Sequence, residues 1–230
     1  MRGSRPSGLR TLAGTTHFTR NHHSSKSHLK SPDTPATAAT RIARHLQQIT
    51  HQHFFKTFDD WLALAVNAFL RDDPAYMEIM QRYGPRTTPM GEKDHPADHF
   101  ARALGAWMQA MQTEAADYLG RVYEEQAVAN SYAGQFFTPE PLVDMMATMT
   151  MPDDLPDTAI VNDPACGSGR MLIAGIKRNR FATFVGVDTD LTCVHMTALN
   201  CRSLYTFTPT LVPCPTAPPW PARALFRSPN

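Results

Sequence analysis

Residues 160–170 read IVNDPACGSGR: an apolar run ends at Asp163-Pro164 and opens into a loop of small residues, Ala165-Cys166-Gly167-Ser168-Gly169, before Arg170. Such a loop costs backbone entropy and gives up side chains that could pack. What it offers is close approach. A strand, a Gly-x-Gly turn and a helix start together put free backbone N–H groups beside a ligand. Nineteen residues after Gly169 stands Asp188, at the end of the next apolar run, ATFVGVD. In a doubly wound sheet an acid at that position reaches the two ribose hydroxyls of a nucleoside. The pattern describes a site for an adenosine-containing molecule at the carboxyl ends of adjacent strands.

The loop also discriminates among such molecules. A dinucleotide fingerprint needs a third glycine where Leu172 stands, and no G-x-x-x-x-G-K-[ST] is present. Asp163, just ahead of the glycines, would repel a pyrophosphate. A carboxylate there suits a ligand with a cationic amino-acid end, and S-adenosyl-L-methionine, with its ammonium and sulfonium charges, meets that demand.

The surrounding elements are arranged to present this loop. Asp157–Asn162 reads as a strand, 167–180 as loop and helix, 182–188 as a second strand and 190–204 as a helix. This β-α-β-α run predicts a parallel sheet with right-handed crossovers. Upstream, SYAGQFFTPEPLVDMMATM gives a loop and a helix, with Thr138 as the expected cap and Pro139 at the first helical position. Apolar residues recur at helical spacing from Ala38 to Phe69, a short helix follows over 75–83, and one long helix is expected over about 97–127. The Met and aromatic stripe of that long helix (Phe100, Trp107, Met108, Met111) reads as packing. His51 and His53 would face opposite ways on a helix and are rejected as a metal site, so no metal is expected.

Charge is unevenly distributed. Residues 1–32 carry six Lys/Arg and no acid, residues 33–190 sum to −8, and 191–230 carry three Arg and no acid. The basic start lacks the apolar core of a secretory signal and reads as a disordered tail or as translated sequence upstream of the true start. Cysteines 166, 193, 201 and 214 form no zinc spacing, and with no long apolar run they suggest reduced thiols in a cytoplasmic protein.

NDPACGSGRMLIAG, with AGQFFTPEPLVDMM ahead of it and FVGVDTDLTCVHMTALN behind, resembles the adenine-N6 DNA methyltransferases. The likeness is greatest to the modification subunits of type I restriction–modification systems, and DYLGRVYEEQ resembles that family's helical N-terminal region. The resemblance covers about residues 54–200. It implies that Gln135, Phe136, Phe137, Thr138, Pro139 and Glu140 form one wall of an S-adenosyl-L-methionine site. Asp163, Pro164, Ala165, Cys166, Gly167, Ser168, Gly169 and Arg170 would form the glycine loop, and Asp188 would hold the ribose. It implies an α/β fold: a helical N-terminal region, then the first part of a Rossmann-like methyltransferase domain with an incomplete sheet.

One motif of that family is missing. Adenine N6 is a poor nucleophile, and an [Asn/Asp]-Pro-Pro-[Phe/Tyr] element accepts its amino hydrogens and stacks on the flipped base. The nearest approach, Ala217-Pro218-Pro219-Trp220, begins with a residue that cannot accept a hydrogen bond. From about Ser203 the chain has seven prolines in 28 residues and no acid, a composition that does not continue a sheet. The expected organisation is a basic tail (1–36), a helical domain (37–130), a partial cofactor-binding domain (131–204) and a proline-rich end (205–230) where the reading frame departs. No catalytic residue is assigned. The implied partners are DNA, reached through a separate specificity subunit, and a restriction subunit, with no membrane. A second reading is a non-catalytic module that docks on a partner subunit through its helices.

Overall fold

The chain punctuates its helices with recognisable chemistry. The computed structural model describes residues 35–87, 89, 94–129, 136–204, 210–213 and 222–226. The basic start and the stretch Ala217–Trp220 lie outside the described residues. Helices α1 (Pro35–Gln47) and α2 (Phe54–Leu70) are separated by a break that contains both His51 and His53. Neither histidine is therefore helical, so the helical geometry expected of them does not apply. His51 packs edge-on to Tyr83, and His53 stacks on Phe55. At the end of α2, Arg71 takes a left-handed conformation with φ 58°. Asp72 then opens α3 (Asp73–Gln81) by accepting the Ala75 N–H at 3.1 Å, the usual work of an N-cap side chain.

The long helix expected over 97–127 is two helices, α4 (Pro96–Thr113) and α5 (Tyr118–Ala129). Glu114 is extended, and the Tyr118 hydroxyl donates back to the Glu114 carbonyl at 2.9 Å. Asp117 starts the new helix by accepting the Gly120 N–H at 2.8 Å. Periodicity survives such a break because both helices pack on α1, which is why spacing alone did not reveal it. Phe100, Trp107, Met111, Leu119 and Val122 are buried as expected, whereas Met108 is exposed.

Helix α6 (Glu140–Thr150) begins one residue later than its sequence suggests. Its N-cap is Pro139, and Thr138 makes no capping bond. Val143 and Ala147 are buried, while Leu142, Met145, Met146 and Met149 stay exposed.

Strands β1 (Ile160–Asp163) and β2 (Thr183–Asp188) pair in parallel, Ile160 opposite Thr183 and Asp163 opposite Gly186. Helix α7 (Arg170–Arg178) connects them, and α8 (Leu191–Arg202) follows β2, capped by Asp190. The register puts Phe184 and Gly186 toward α7 and α8, and Phe184 is fully buried. A single apolar cluster runs from Ile42, Trp61 and Leu119 through Leu172 and Phe184 to Leu199, so the upstream helices and the strand–helix units share one core.

The proline-rich end departs from expectation. Its backbone forms β3 (Thr210–Pro213) and β4 (Ala222–Phe226), and β4 pairs antiparallel with both β3 and β2, giving the order β1-β2-β4-β3. A strand edge carries unpaired N–H and C=O groups that any extended segment can satisfy. Residues 222–226 contain no proline, and Pro213 stands last in its strand, where a missing donor costs least. Among the described residues no helix is long and apolar enough to cross a membrane.

Candidate functional site

The loop between β1 and α7 takes the shape that its glycines permit. Gly167 and Gly169 lie at φ 53° and 90°, in the left-handed region that side chains rarely adopt. The intervening Ser168 is turned inward and is 1% exposed. Three loop carbonyls also point into the protein. Cys166 C=O accepts from Gly169 N–H at 2.8 Å, Gly167 C=O from Thr197 Oγ1 at 2.8 Å, and Ser168 C=O from Asn200 Nδ2 at 3.0 Å.

The two acids that the sequence singled out meet at the strand ends. Asp188 Oδ2 accepts the Gly167 N–H at 2.9 Å and Oδ1 accepts the Asp190 N–H at 2.9 Å, so the acid closes the loop from the second strand. Asp163 accepts the Ala165 N–H at 3.1 Å. Burial pushes the Asp163 carboxyl above its ordinary range, and the nearby Asp188 pushes in the same direction, against the pull of that N–H. Carboxylates at the ends of two adjacent strands favour a cation beside them. Pro164 and Ala165 are exposed. Cys166 is buried, and burial pushes its thiol up to about 12, so it packs as a protonated side chain and is no nucleophile. Among the described residues, Cys166, Cys193 and Cys201 are buried.

The QFFTPE element is brought to the same loop. Gln135 lies outside the described residues, and Phe136 is 76% exposed. Phe137 packs on the loop backbone so closely that a Cβ added to Gly167 would stand 2.8 Å from its ring. Its N–H donates to Glu124 Oε1 at 2.9 Å. The Thr138 carbonyl accepts from Arg170 Nη1 at 3.0 Å, and Glu140 pairs with Arg121 at 2.5 Å. Pro139 is exposed.

Arg170 joins these parts. Its Nε donates to Asp117 Oδ2 at 2.6 Å, its Nη2 to Glu124 Oε2 at 2.7 Å, and its guanidinium carbon lies 5.5 Å from the Phe137 ring centre. Burial strips water from the guanidinium, which alone would lower its pKa. Asp117 and Glu124 outweigh that loss and hold it above its ordinary value. The sequence placed Arg170 in the loop; the structure commits its charge to α5 and to the aromatic wall.

Asp117, which sequence reasoning missed, is buried at the centre of this arrangement. Its Oδ2 accepts from Ser168 Oγ at 2.5 Å and from Arg170 Nε. Its Oδ1 accepts from the Gly120 N–H and from Asn200 Nδ2 at 2.7 Å. An acid three residues ahead of Gly120 in the apolar run AADYLG is a legible helix-start signal. Its partners at 168, 170 and 200 are too far along the chain for spacing to reveal.

Residues 114–203 match the family model described as N-6 DNA Methylase. That stretch runs from just ahead of Asp117 to the end of α8 and contains all three motifs. No curated protein and no solved structure matches the chain.

Proposed function

We propose that residues 114–203 form the cofactor-binding part of a DNA adenine-N6 methyltransferase of a restriction–modification system, within a Rossmann-like domain. The observation that carries this reading is the N-6 DNA Methylase match, which spans a glycine loop closed by Asp188 and faced by Phe137. The residues fit S-adenosyl-L-methionine. Asp163 would take the ammonium of its methionine end, the 167–169 backbone would lie alongside, and Asp188 would accept from the ribose hydroxyls. Each oxygen of Asp188 accepts one backbone N–H and has capacity for another donor. The bound cofactor supplies an electrophilic methyl group.

Handling of the adenine is proposed to lie outside these 230 residues, whose sequence contains no [Asn/Asp]-Pro-Pro-[Phe/Tyr]. DNA is proposed to reach the site through a separate specificity subunit. A charge of −8 over residues 33–190 supports that division, because binding to phosphates is driven by Lys and Arg.

Titration calorimetry of the purified chain with S-adenosyl-L-methionine tests the reading. The chain should bind the cofactor, Asp163→Ala should abolish binding, and neither protein should transfer labelled methyl groups to DNA. Unchanged affinity in Asp163→Ala would remove Asp163 from the site.

A further inference from the structure

The glycine loop closes one turn of its own, from the Gly169 N–H to the Cys166 carbonyl, and takes the rest of its hold from other elements. Between Gly167 and Gly169 the backbone has two left-handed residues, and free glycines sample many alternatives. Every fixed point of the Ser168 residue comes from elsewhere in the chain. Its hydroxyl is bound by Asp117, immediately ahead of α5, and its carbonyl by Asn200 on α8. The Asn200 amide donates to Asp117 as well, so the two grips are themselves joined. The next residue but one, Arg170, is drawn to the same carboxylate. A buried carboxylate with four donors at 2.5–2.8 Å is a stiff reference point.

We propose that Asp117 is a positioning residue for the cofactor loop, acting from behind it through Ser168 and Arg170. On this view α5 is part of the cofactor apparatus, gripping the loop from behind. Asp117 turns the Ser168 side chain inward while Thr197 and Asn200 hold the Gly167 and Ser168 carbonyls, and together these bonds fix which side of the loop a ligand meets. The ligand named here rests on the proposed function; the positioning of the loop does not.

The test uses the full chain and two readouts. The first is affinity for S-adenosyl-L-methionine by calorimetry. The second is the rate at which a thiol reagent labels Cys166, resolved by mass spectrometry from Cys193 and Cys201. Among the described residues these three thiols are buried, and of the three Cys166 lies in the loop; Cys214 is resolved separately by mass. Ser168→Ala removes the link and leaves the Asp117–Arg170 pair in place; Asp117→Asn removes the charge.

Both variants should label at Cys166 at least about tenfold faster, with Cys193 and Cys201 unchanged, and should bind the cofactor about tenfold more weakly, the loss expected for one charge-assisted hydrogen bond. The double variant should be no weaker than the weaker single one within about threefold, because both changes act on the bond between Asp117 and Ser168. If the wild-type chain fails to bind cofactor while Cys166 opens selectively in the variants, the proposed function falls and the positioning role stands. Labelling that rises equally at all three thiols would mean general loosening and would overturn the proposal. Unchanged Cys166 labelling in Ser168→Ala would overturn it too.

Discussion

Gly120→Ala sets two familiar effects against each other. Gly120 lies in the first turn of α5, and alanine is favoured over glycine inside a helix by up to about 1 kcal/mol. The opposing effect comes from what a Cβ would meet. It would fall well inside contact distance of Asp117 Oδ2, 2.8 Å from Asp117 Cγ and 2.6 Å from Ser168 Oγ. All of these lie below the 3.0 Å that real Cβ atoms keep. The carboxylate must move, and in moving it loosens its bonds to Ser168 and Arg170. Breaking a buried ion pair costs about 3–5 kcal/mol. The clash wins, and the net loss is about 2–4 kcal/mol.

Urea unfolding followed by tryptophan fluorescence measures it, with Gly105→Ala as the internal control. Gly105 lies in α4 with nothing within 4 Å of where an alanine methyl would stand, so the same substitution there should be neutral or stabilising by up to about 1 kcal/mol. A Gly120→Ala midpoint at or above wild type, with an unchanged slope, would refute the close packing of α5 on the loop.

Two further outcomes follow from other parts of the fold. Gly175→Ala in α7 would place a methyl 2.6 Å from Phe184 Cε1 and 2.9 Å from Met151 Sδ. The methionine can swing away but the fully buried ring cannot, so overpacking should cost about 1–3 kcal/mol in the same urea assay. His195 on α8 has its pKa lowered to about 4, chiefly by burial and against the pull of Asp190. Its neutral form is favoured in the folded chain, so the stability it contributes is present above about pH 6.5 and is lost as pH falls toward about 4. Replacing it with Asn should flatten the stability profile in that window by at most about 1.4 kcal/mol per pH unit, and an unaltered profile would show that another group titrates there.

Much of the site was legible because its information is local. The Gly-x-Gly turn, the acid at the end of β2 and the helix that follows it each come from a few neighbouring residues. The break at Glu114 was hidden because α4 and α5 both pack on α1 across it. The late start of α6 was hidden because Thr138 has the right chemistry for a cap but not the right place. The Asp117 network was hidden for a different reason. Its bonds to Ser168, Arg170 and Asn200 close loops of 51, 53 and 83 residues, and no window of sequence holds both ends. The strand at 222–226 was obscured by the prolines around it, which dominate composition without entering β4.

Arg170 also bears on how such a chain could be inherited in pieces. A crossover between related genes anywhere from 118 to 167 would marry one parent's Asp117 to another parent's Ser168 and Arg170. Unless both parents kept the same acid, the hybrid would bury a cation with half its partners gone. A crossover upstream of 114 carries α5 along with the loop that it grips. Helices α1 to α4 meet that unit through the shared apolar core and through the bond from Thr192 to Asp59, whereas α5 grips the loop directly. The apparatus that holds the loop therefore begins inside the helical half of the chain, well before the first strand.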